Sequence, residues 1–340
     1  MPQNITSYGD ISPRTAAYAV AKLLTRGQAL LVLERFGVRD PQPKNASRTR
    51  KYRRYLSLAP ATAPLAEGVT PPGQKLRHED ITCVLEQYGD LVNLTDRVAD
   101  NHEDPVLNET AKLMGEQAGE TVELVRFAVL CGGSNVYYAN SVASRTLVNS
   151  PLLKGDLAKI VRGFSRAKCR KVTEIISPTA MVATEPVAPA YIAVCHTDLQ
   201  WDIEHLSGFT GVEKYSDPSK ALPGEIGKCG EIRFLLTPMC DSYKAIGAEG
   251  TTYLSNGAAV AVPAACDVYP ILIFGRDAYG IVPLQGKDAV DITVINPGTK
   301  TKEDPMGQRG VASWITDQTC VRLNELWIAR YEVACTANPS

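Results

Sequence analysis

The feature that most constrains this chain is a pair of strand-like runs with almost nothing between them to pack. Arg50-Lys51-Tyr52-Arg53-Arg54-Tyr55-Leu56-Ser57-Leu58 has strand composition, and so does Asp80-Ile81-Thr82-Cys83-Val84-Leu85-Glu86. Pro60, Pro64, Gly68, Pro71, Pro72 and Gly73 lie between them, with Leu65 and Val69 among the few large apolar groups. A structureless connection of that length does not belong inside a compact domain. The alternative is an extended two-stranded finger that leaves the body of the protein. An isolated hairpin is marginal in water, so such a finger needs a partner. Arg50, Lys51, Arg53 and Arg54 at its root, with Leu65, Glu67 and Val69 at its tip, are therefore the candidate contacts to a neighbouring subunit.

The clearest local signal follows the finger. Asp104-Pro105 reads as an N-cap followed by proline at the first helical position. Leu107, Ala111, Met114, Ala118, Val122, Val125 and Val129 then recur every three or four residues, and Gly132-Gly133 ends the run. The spacing predicts a helix over 105–131, a rod of about 40 Å. Gly115 and Gly119 let a neighbouring backbone come close. The stripe is too short for a sustained coiled coil and lacks flanking charge pairs, so an intramolecular spine is expected.

Residues 1–45 read as an arm. Val20, Leu23, Leu24, Leu30 and Leu31 give Tyr18 to Leu33 helical spacing, interrupted by Gly27 and closed by the turn Asp40-Pro41-Gln42-Pro43. A second helix is expected from Lys154 to Lys168, burying Leu157, Ile160, Val161 and Phe164. Its other side carries Lys159, Arg162, Arg166 and Arg170, a solvated face or a set of subunit ion pairs more readily than a phosphate track. From about Val172 to Pro297 the chain turns strand-rich, in Tyr191–Cys195, Glu231–Leu236, Ile271–Phe274 and Val290–Val294. Thr197 with Gln200 has capping-box spacing for one interrupting helix. Trp327 to Val333 alternates as a half-buried strand expected beside the spine.

Composition narrows the function. The 340 residues allow about two domains, and 44% hydrophobic content supports a sizeable core. Lys plus Arg number 36 against 37 Asp plus Glu, which excludes both a polybasic nucleic-acid wrapper and an acidic tail protein. No apolar run reaches membrane-spanning length. The opening Met1-Pro2-Gln3-Asn4 lacks the basic and apolar regions of a signal peptide, so a chain kept in the cytosol is expected. Nine cysteines without a CxxC pair read as small buried hydrophobes in a reducing compartment.

Catalytic signatures are nearly absent. Gly224-Glu225-Ile226-Gly227-Lys228-Cys229 has a phosphate loop's glycines and lysine at the wrong spacing. Asp198, Asp202 and His205 share a helix face, but acidic groups there more simply favour the first turns of a capped helix. Cys195 and His196, as strand neighbours, point to opposite faces and make no nucleophile–base pair. No catalytic, cofactor-binding or metal residue is assigned, and no cofactor is expected.

Taken in order, the parts resemble the major capsid protein of tailed double-stranded-DNA bacteriophages, the Hong Kong 97 type fold, and more closely the N-four-like major capsid family. The likeness rests on Tyr191-Ile192-Ala193-Val194-Cys195-His196-Thr197-Asp198, on Gly227-Lys228-Cys229-Gly230-Glu231-Ile232-Arg233-Phe234 and on Gly310-Val311-Ala312-Ser313-Trp314. Thr197 stands where proline is expected after the histidine, and a threonine serves the same helix start. The resemblance implies an α+β capsid fold with the N-arm at 1–45, the E-loop as an extended β-hairpin at 46–95, and a P-domain with the spine helix at 96–171. A mixed α/β A-domain would follow at 172–300, and 301–340 would return to the P-domain with a C-terminal strand.

Such a protein is a structural protein and not an enzyme. It self-assembles into hexamers and pentamers of an icosahedral phage head around packaged double-stranded DNA, contacted non-specifically. The resemblance implies its own copies as partners, with a portal, a decoration or cement protein and a separate scaffolding protein expected, since no long helical segment precedes the arm. It resides in the virion, and in the host bacterial cytoplasm during assembly, with no membrane. The alternatives are an encapsulin-like nanocompartment shell and a cytosolic hydrolase using Cys195 and His196.

Overall fold

The computed structural model describes residues 31–62, 64, 68, 70, 73–96, 106–177, 183–215, 221–285, 290–300 and 304–337, with 106–108, 174–177 and 183–187 described by backbone alone. The first strands are β1 (Val38–Arg39), β2 (Thr49–Tyr55), β3 (His78–Val84) and β4 (Glu86–Thr95), followed by helix α1 (Val106–Cys131) and β5 (Val136–Tyr138). Helix α2 (Lys154–Arg166) leads into β6 (Val172–Ser177), β7 (Ala183–Cys195), the short helix α3 (Gln200–Glu204) and β8 (Phe209–Gly211). Then come β9 (Glu225–Cys229), β10 (Ile232–Leu236), β11 (Glu249–Gly250), β12 (Ala264–Ala265) and β13 (Val268–Phe274). The chain closes with β14 (Tyr279–Pro283), β15 (Asp291–Ile295), β16 (Arg309–Arg322) and β17 (Ile328–Ala334).

One sheet is organised by the long strand β16. It pairs with β4 along one edge and with β15 and then β14 along the other, and β1 adds in parallel to β14. Alternate residues of β16 are buried, as a strand with one covered face requires. Two of them, Ala312 and Trp314, pack on Met114 and Ala118 of α1. The Trp314 indole also donates to Gln117 Oε1 at 3.0 Å. Ala111, Met114, Ala118, Val122, Phe127 and Leu130 form the buried stripe of α1, and Gly115 and Gly119 lie on it. The expected spine is therefore present and intramolecular. Its Asp104-Pro105 start and the Leu107 side chain lie outside the described residues, as does most of the arm helix expected at 18–33.

The second sheet runs β5-β17-β13-β7-β10-β9-β8, with β6 paired to β7. Both faces are covered, so its central strands read as continuous apolar runs. The two-residue period sends Tyr191, Ala193, Ile271, Ile273 and Tyr331 to one face, against Leu157, Ile160 and Phe164 of α2. It sends Ile192, Val194, Leu272 and Phe274 to the other, against Phe127 and Leu130 at the end of α1. Each large aliphatic or phenylalanine side chain among these contributes about 1.5–3 kcal/mol by leaving water. The end of the spine thus plugs into this core while its middle lies on the first sheet.

Several expected boundaries move. Asp291–Ile295, expected in the α/β domain, pairs with β16 in the spine sheet. Helix α2, grouped with the spine by sequence, packs on the second sheet. Glu86–Thr95, grouped with the finger, pairs residue for residue with Arg309–Gln318. The last strand is buried rather than half-buried: β17 lies between β5 and β13, with Ile328 packed beside Phe127 and Leu130 at the end of the spine. It carries Glu332, which has no exposed surface. The Arg145 guanidinium grips that carboxylate with two bonds of 2.7 Å, and Arg330 Nε stands 2.8 Å away. A buried ion cluster had the sequence pattern of a solvent face. Finally, His196 rather than Thr197 caps the turn before α3, its Nδ1 accepting from the Asp198 N–H at 3.1 Å.

Candidate assembly surface

Strands β2 and β3 make a separate two-stranded sheet, in register from Thr49↔Val84 to Tyr55↔His78. Its root is anchored where Cys83 and Leu85 join Val282 and Val321 of the spine sheet, with Tyr52 and Ile81 packed alongside. Burial pushes the Cys83 thiol and the Tyr52 phenol upward from their ordinary pKa values. A cleft of about 630 Å³ runs beside this root, lined by Arg54, Cys83, Val84, Val321, Leu323 and Leu326 among others.

Ion pairs cross the sheet in addition to its backbone ladder. Arg53 Nε and Nη2 donate to the two oxygens of Asp80, directly opposite, at 2.8 and 3.0 Å. Lys51 Nζ reaches the same carboxylate at 3.0 Å, and Arg54 pairs with Glu79 at 2.5 Å. Arg53 and Lys51 hold the Asp80 carboxyl well below the usual carboxylate range. Arg50 pairs with Asp40 and Arg48 with Glu86. The four described candidates, Arg50, Lys51, Arg53 and Arg54, thus all have acidic partners within their own chain. Leu65, Glu67 and Val69 lie outside the described residues.

The finger continues past its ladder by other means. Leu56 N–H donates to Arg77 O at 2.9 Å, and the Gln74 amide then substitutes for a strand partner. It accepts from Ala59 N–H at 3.1 Å and donates to Ala59 O at 2.9 Å. Along this stretch Tyr55, Leu58 and Leu76 are 62%, 53% and 68% exposed. Large apolar groups left in water on so thin a support are a candidate interaction surface. Sequence reading placed Tyr55 and Leu58 in the strand without seeing them as contacts. Their signal was available, as apolar residues beside a charged run with no core to enter. A second set of exposed leucines, Leu91 on β4 with Leu113 and Leu124 on α1, lies on the spine body.

The alternative sites are taken up structurally. Cys195 is fully buried, and burial raises its thiol pKa. Its Sγ lies 3.4 Å from Leu235 O, while His196 serves as the cap. Asp198 accepts from the Tyr269 hydroxyl at 2.8 Å. Asp202 accepts from Thr336 N and Oγ1 at 3.0 and 2.6 Å. His205 stacks on Trp201 with ring centroids 4.2 Å apart. Among the described residues no group of three His, Cys, Asp or Glu side chains is placed to hold a metal ion. All nine cysteines are free and buried. Lys159, Arg162, Arg166 and Arg170 are exposed as a row, with Lys159 turned back to Asp156 at 2.8 Å. Among the described residues no helix is long and apolar enough to cross a membrane.

The three segments that carried the sequence resemblance fall at working positions of the fold. Tyr191–Asp198 is the end of β7 and the turn before α3, Gly227–Phe234 is the β9–β10 hairpin, and Gly310–Trp314 is the part of β16 facing the spine. A Cβ at Gly227 would meet Thr210 O at 2.5 Å, so β8 can pair only with a glycine there.

A family model described as phage capsid protein matches residues 79–313. The capsid of Ralstonia phage GP4 superposes with a TM-score of 0.67 at 12% identity, covering 100% of both chains. The head structure of Helicobacter pylori bacteriophage KHP40 gives 0.61 at 8% identity, covering 98% of each chain. The capsid of cyanophage Pam1 gives 0.60 at 11% identity, covering 99% of this chain and 100% of the other. No curated protein sequence matches significantly. Neither the compartment nor the hydrolase alternative finds support in these matches. With the family model spanning more than half of its length and the fold shared from end to end, the chain belongs to the phage capsid protein family.

Proposed function

We propose that copies of this chain assemble into hexamers and pentamers of an icosahedral head enclosing double-stranded DNA. The exposed apolar side chains of Tyr55, Leu58 and Leu76 on a thin two-stranded finger carry this reading. In a lone chain they face water; laid over a neighbouring copy they would be buried, and the finger would gain the support a hairpin lacks. Leu65, Glu67 and Val69 extend the same contact at the tip, with residues 1–45 acting as an arm along another copy. Arg50, Lys51, Arg53 and Arg54 take part as preformed ion pairs that stiffen the root and present a polar rim.

In this reading the subunit divides into arm, E-loop, P-domain and A-domain, with β14, β15 and β16 in the P-domain and α2 and β17 in the A-domain. The shell assembles in the host cytoplasm with a separate scaffolding protein, a portal and a decoration protein. Packaged duplex is contacted through its phosphates, without sequence preference. Light scattering and negative-stain microscopy of the full-length chain test the proposal. Shells, tubes or capsomer rings containing nucleic acid are expected, and Leu58→Asp with Leu76→Asp should abolish them. A monodisperse monomer under all assembly conditions would overturn it.

A further inference from the structure

The buried stripe of α1 contains a charged pair that stability alone does not explain. Glu123 is 1% and Arg126 5% exposed. Glu123 Oε1 accepts from the backbone N–H groups of Val32 and Leu33, at 3.1 and 2.9 Å. Those donors open the single 3-10 turn Leu33–Arg35, whose N-cap residue, Val32, provides no side-chain bond of its own. Orphan donors at a helix start need an acceptor, and here it arrives from 90 residues away. From the other side, Tyr279 of β14 donates its hydroxyl to Leu33 O at 2.5 Å. Arg126 Nη1 donates to Glu34 at 3.2 Å and its Nη2 to Gln318 of β16 at 3.0 Å. Val32, Leu33 and Phe36 sink into the second core beside these groups. The approach is close: a Cβ on Gly37 would meet the Tyr279 ring at 2.7 Å.

The network is costly. Glu123 Oε2, Arg126 Nε and Gln318 Nε2 are buried with no hydrogen-bond partner among the described residues. A partly satisfied buried network is worse than a packed apolar core, and replacing buried ions by hydrophobes often stabilises. An apolar residue at 123 would continue the stripe. What the carboxylate adds is geometric: a fixed position for two backbone amides at the point where the arm joins the body.

We propose that Glu123 and Tyr279 form a clamp that sets where and in what direction the N-terminal arm leaves the subunit, and so which point on a neighbouring copy the arm reaches. This rests on the assembly reading above. The test uses the full-length chain as Glu123→Leu, Glu123→Gln and Tyr279→Phe, with two readouts: amide hydrogen exchange at Val32 and Leu33, and shell diameter by electron microscopy. Glu123→Leu should speed exchange at both amides about tenfold or more, leave the β13 amides unchanged, and give shells of mixed diameter. Glu123→Gln keeps an acceptor and should retain uniform shells. Unchanged exchange in Glu123→Leu would overturn the clamp, and uniform wild-type shells despite faster exchange would overturn its positioning role. If Glu123→Leu does not fold, Tyr279→Phe decides by the same two readouts. Failure of the assembly reading is visible separately, as wild-type protein that forms no shells while the exchange comparison still reports on the clamp.

Discussion

Strands β2 and β13 each have seven residues, and they could hardly be held more differently. In β13 all seven positions are buried, with β17 on one edge, β7 on the other and helices over both faces. In β2 the positions alternate exposed and half-buried, with β3 as the one paired strand and a small apolar cluster at the root. Even Pro270 fits β13, because β7 pairs only from Leu272 to Phe274 and leaves that edge free at the proline. The sheet is held by burial, a large term. The finger is held by its backbone ladder and by exposed ion pairs, and the pairs contribute little in water. One region is complete within the chain, and the other would be completed by a neighbouring copy in the proposed assembly.

Four measurements would break or sharpen that contrast. Phe274→Ala should cost about 3–5 kcal/mol in chemical denaturation, the range for emptying a packed aromatic site; a loss below about 1 kcal/mol would mean the sheet does not carry the fold. Glu332→Ala strands Arg145 and Arg330 without their shared carboxylate and should cost about 3 kcal/mol, with Glu332→Gln recovering part of it. The two regions should also respond to pH with opposite sign. Burial raises the Glu123 pKa in the folded chain, so its contribution is present at low pH and is lost as pH rises above 4.5, the ordinary glutamate value. Asp80 is depressed by Arg53 and Lys51, so its contribution is present at neutral pH and is lost as pH falls toward that depressed value. Unfolding curves of wild type against Glu123→Gln and Asp80→Asn across pH check both slopes, and parallel slopes would refute the assignment. The smallest stability effect belongs to Leu58→Asp and Leu76→Asp, within about 0.5 kcal/mol of wild type, although shells should be lost. A large drop in melting temperature would show that the finger already supports the isolated chain.

Much of this was legible because it is local. Ala111, Met114, Ala118 and Val122 repeat with the helical period, and the helix expected over 105–131 is found at Val106–Cys131. The finger was legible from Pro60, Pro64 and Gly68, which leave no core to build. Glu123 and Arg126 were not, because a charge on a helix reads as solvent-facing unless its partners are known, and those partners are Val32, Leu33, Glu34 and Gln318. Glu332 failed for the same reason. The exposed Leu58 and Leu76 were passed over in favour of the basic root, whose charges turn out to be paired within the chain.

The amino-acid sequence alone determined the elements: a spine helix from its apolar period, strands from their branched and aromatic runs, and a finger from its prolines and glycines. Only the tertiary structure decided which strands pair, which placed β15 with β16 and β17 beside β13 across the expected domain boundaries. The reason is physical. A strand's hydrogen-bonding edge is the same backbone whatever its side chains, so partner choice is settled by three-dimensional packing. A buried charge, likewise, is specified by the distant groups that meet it.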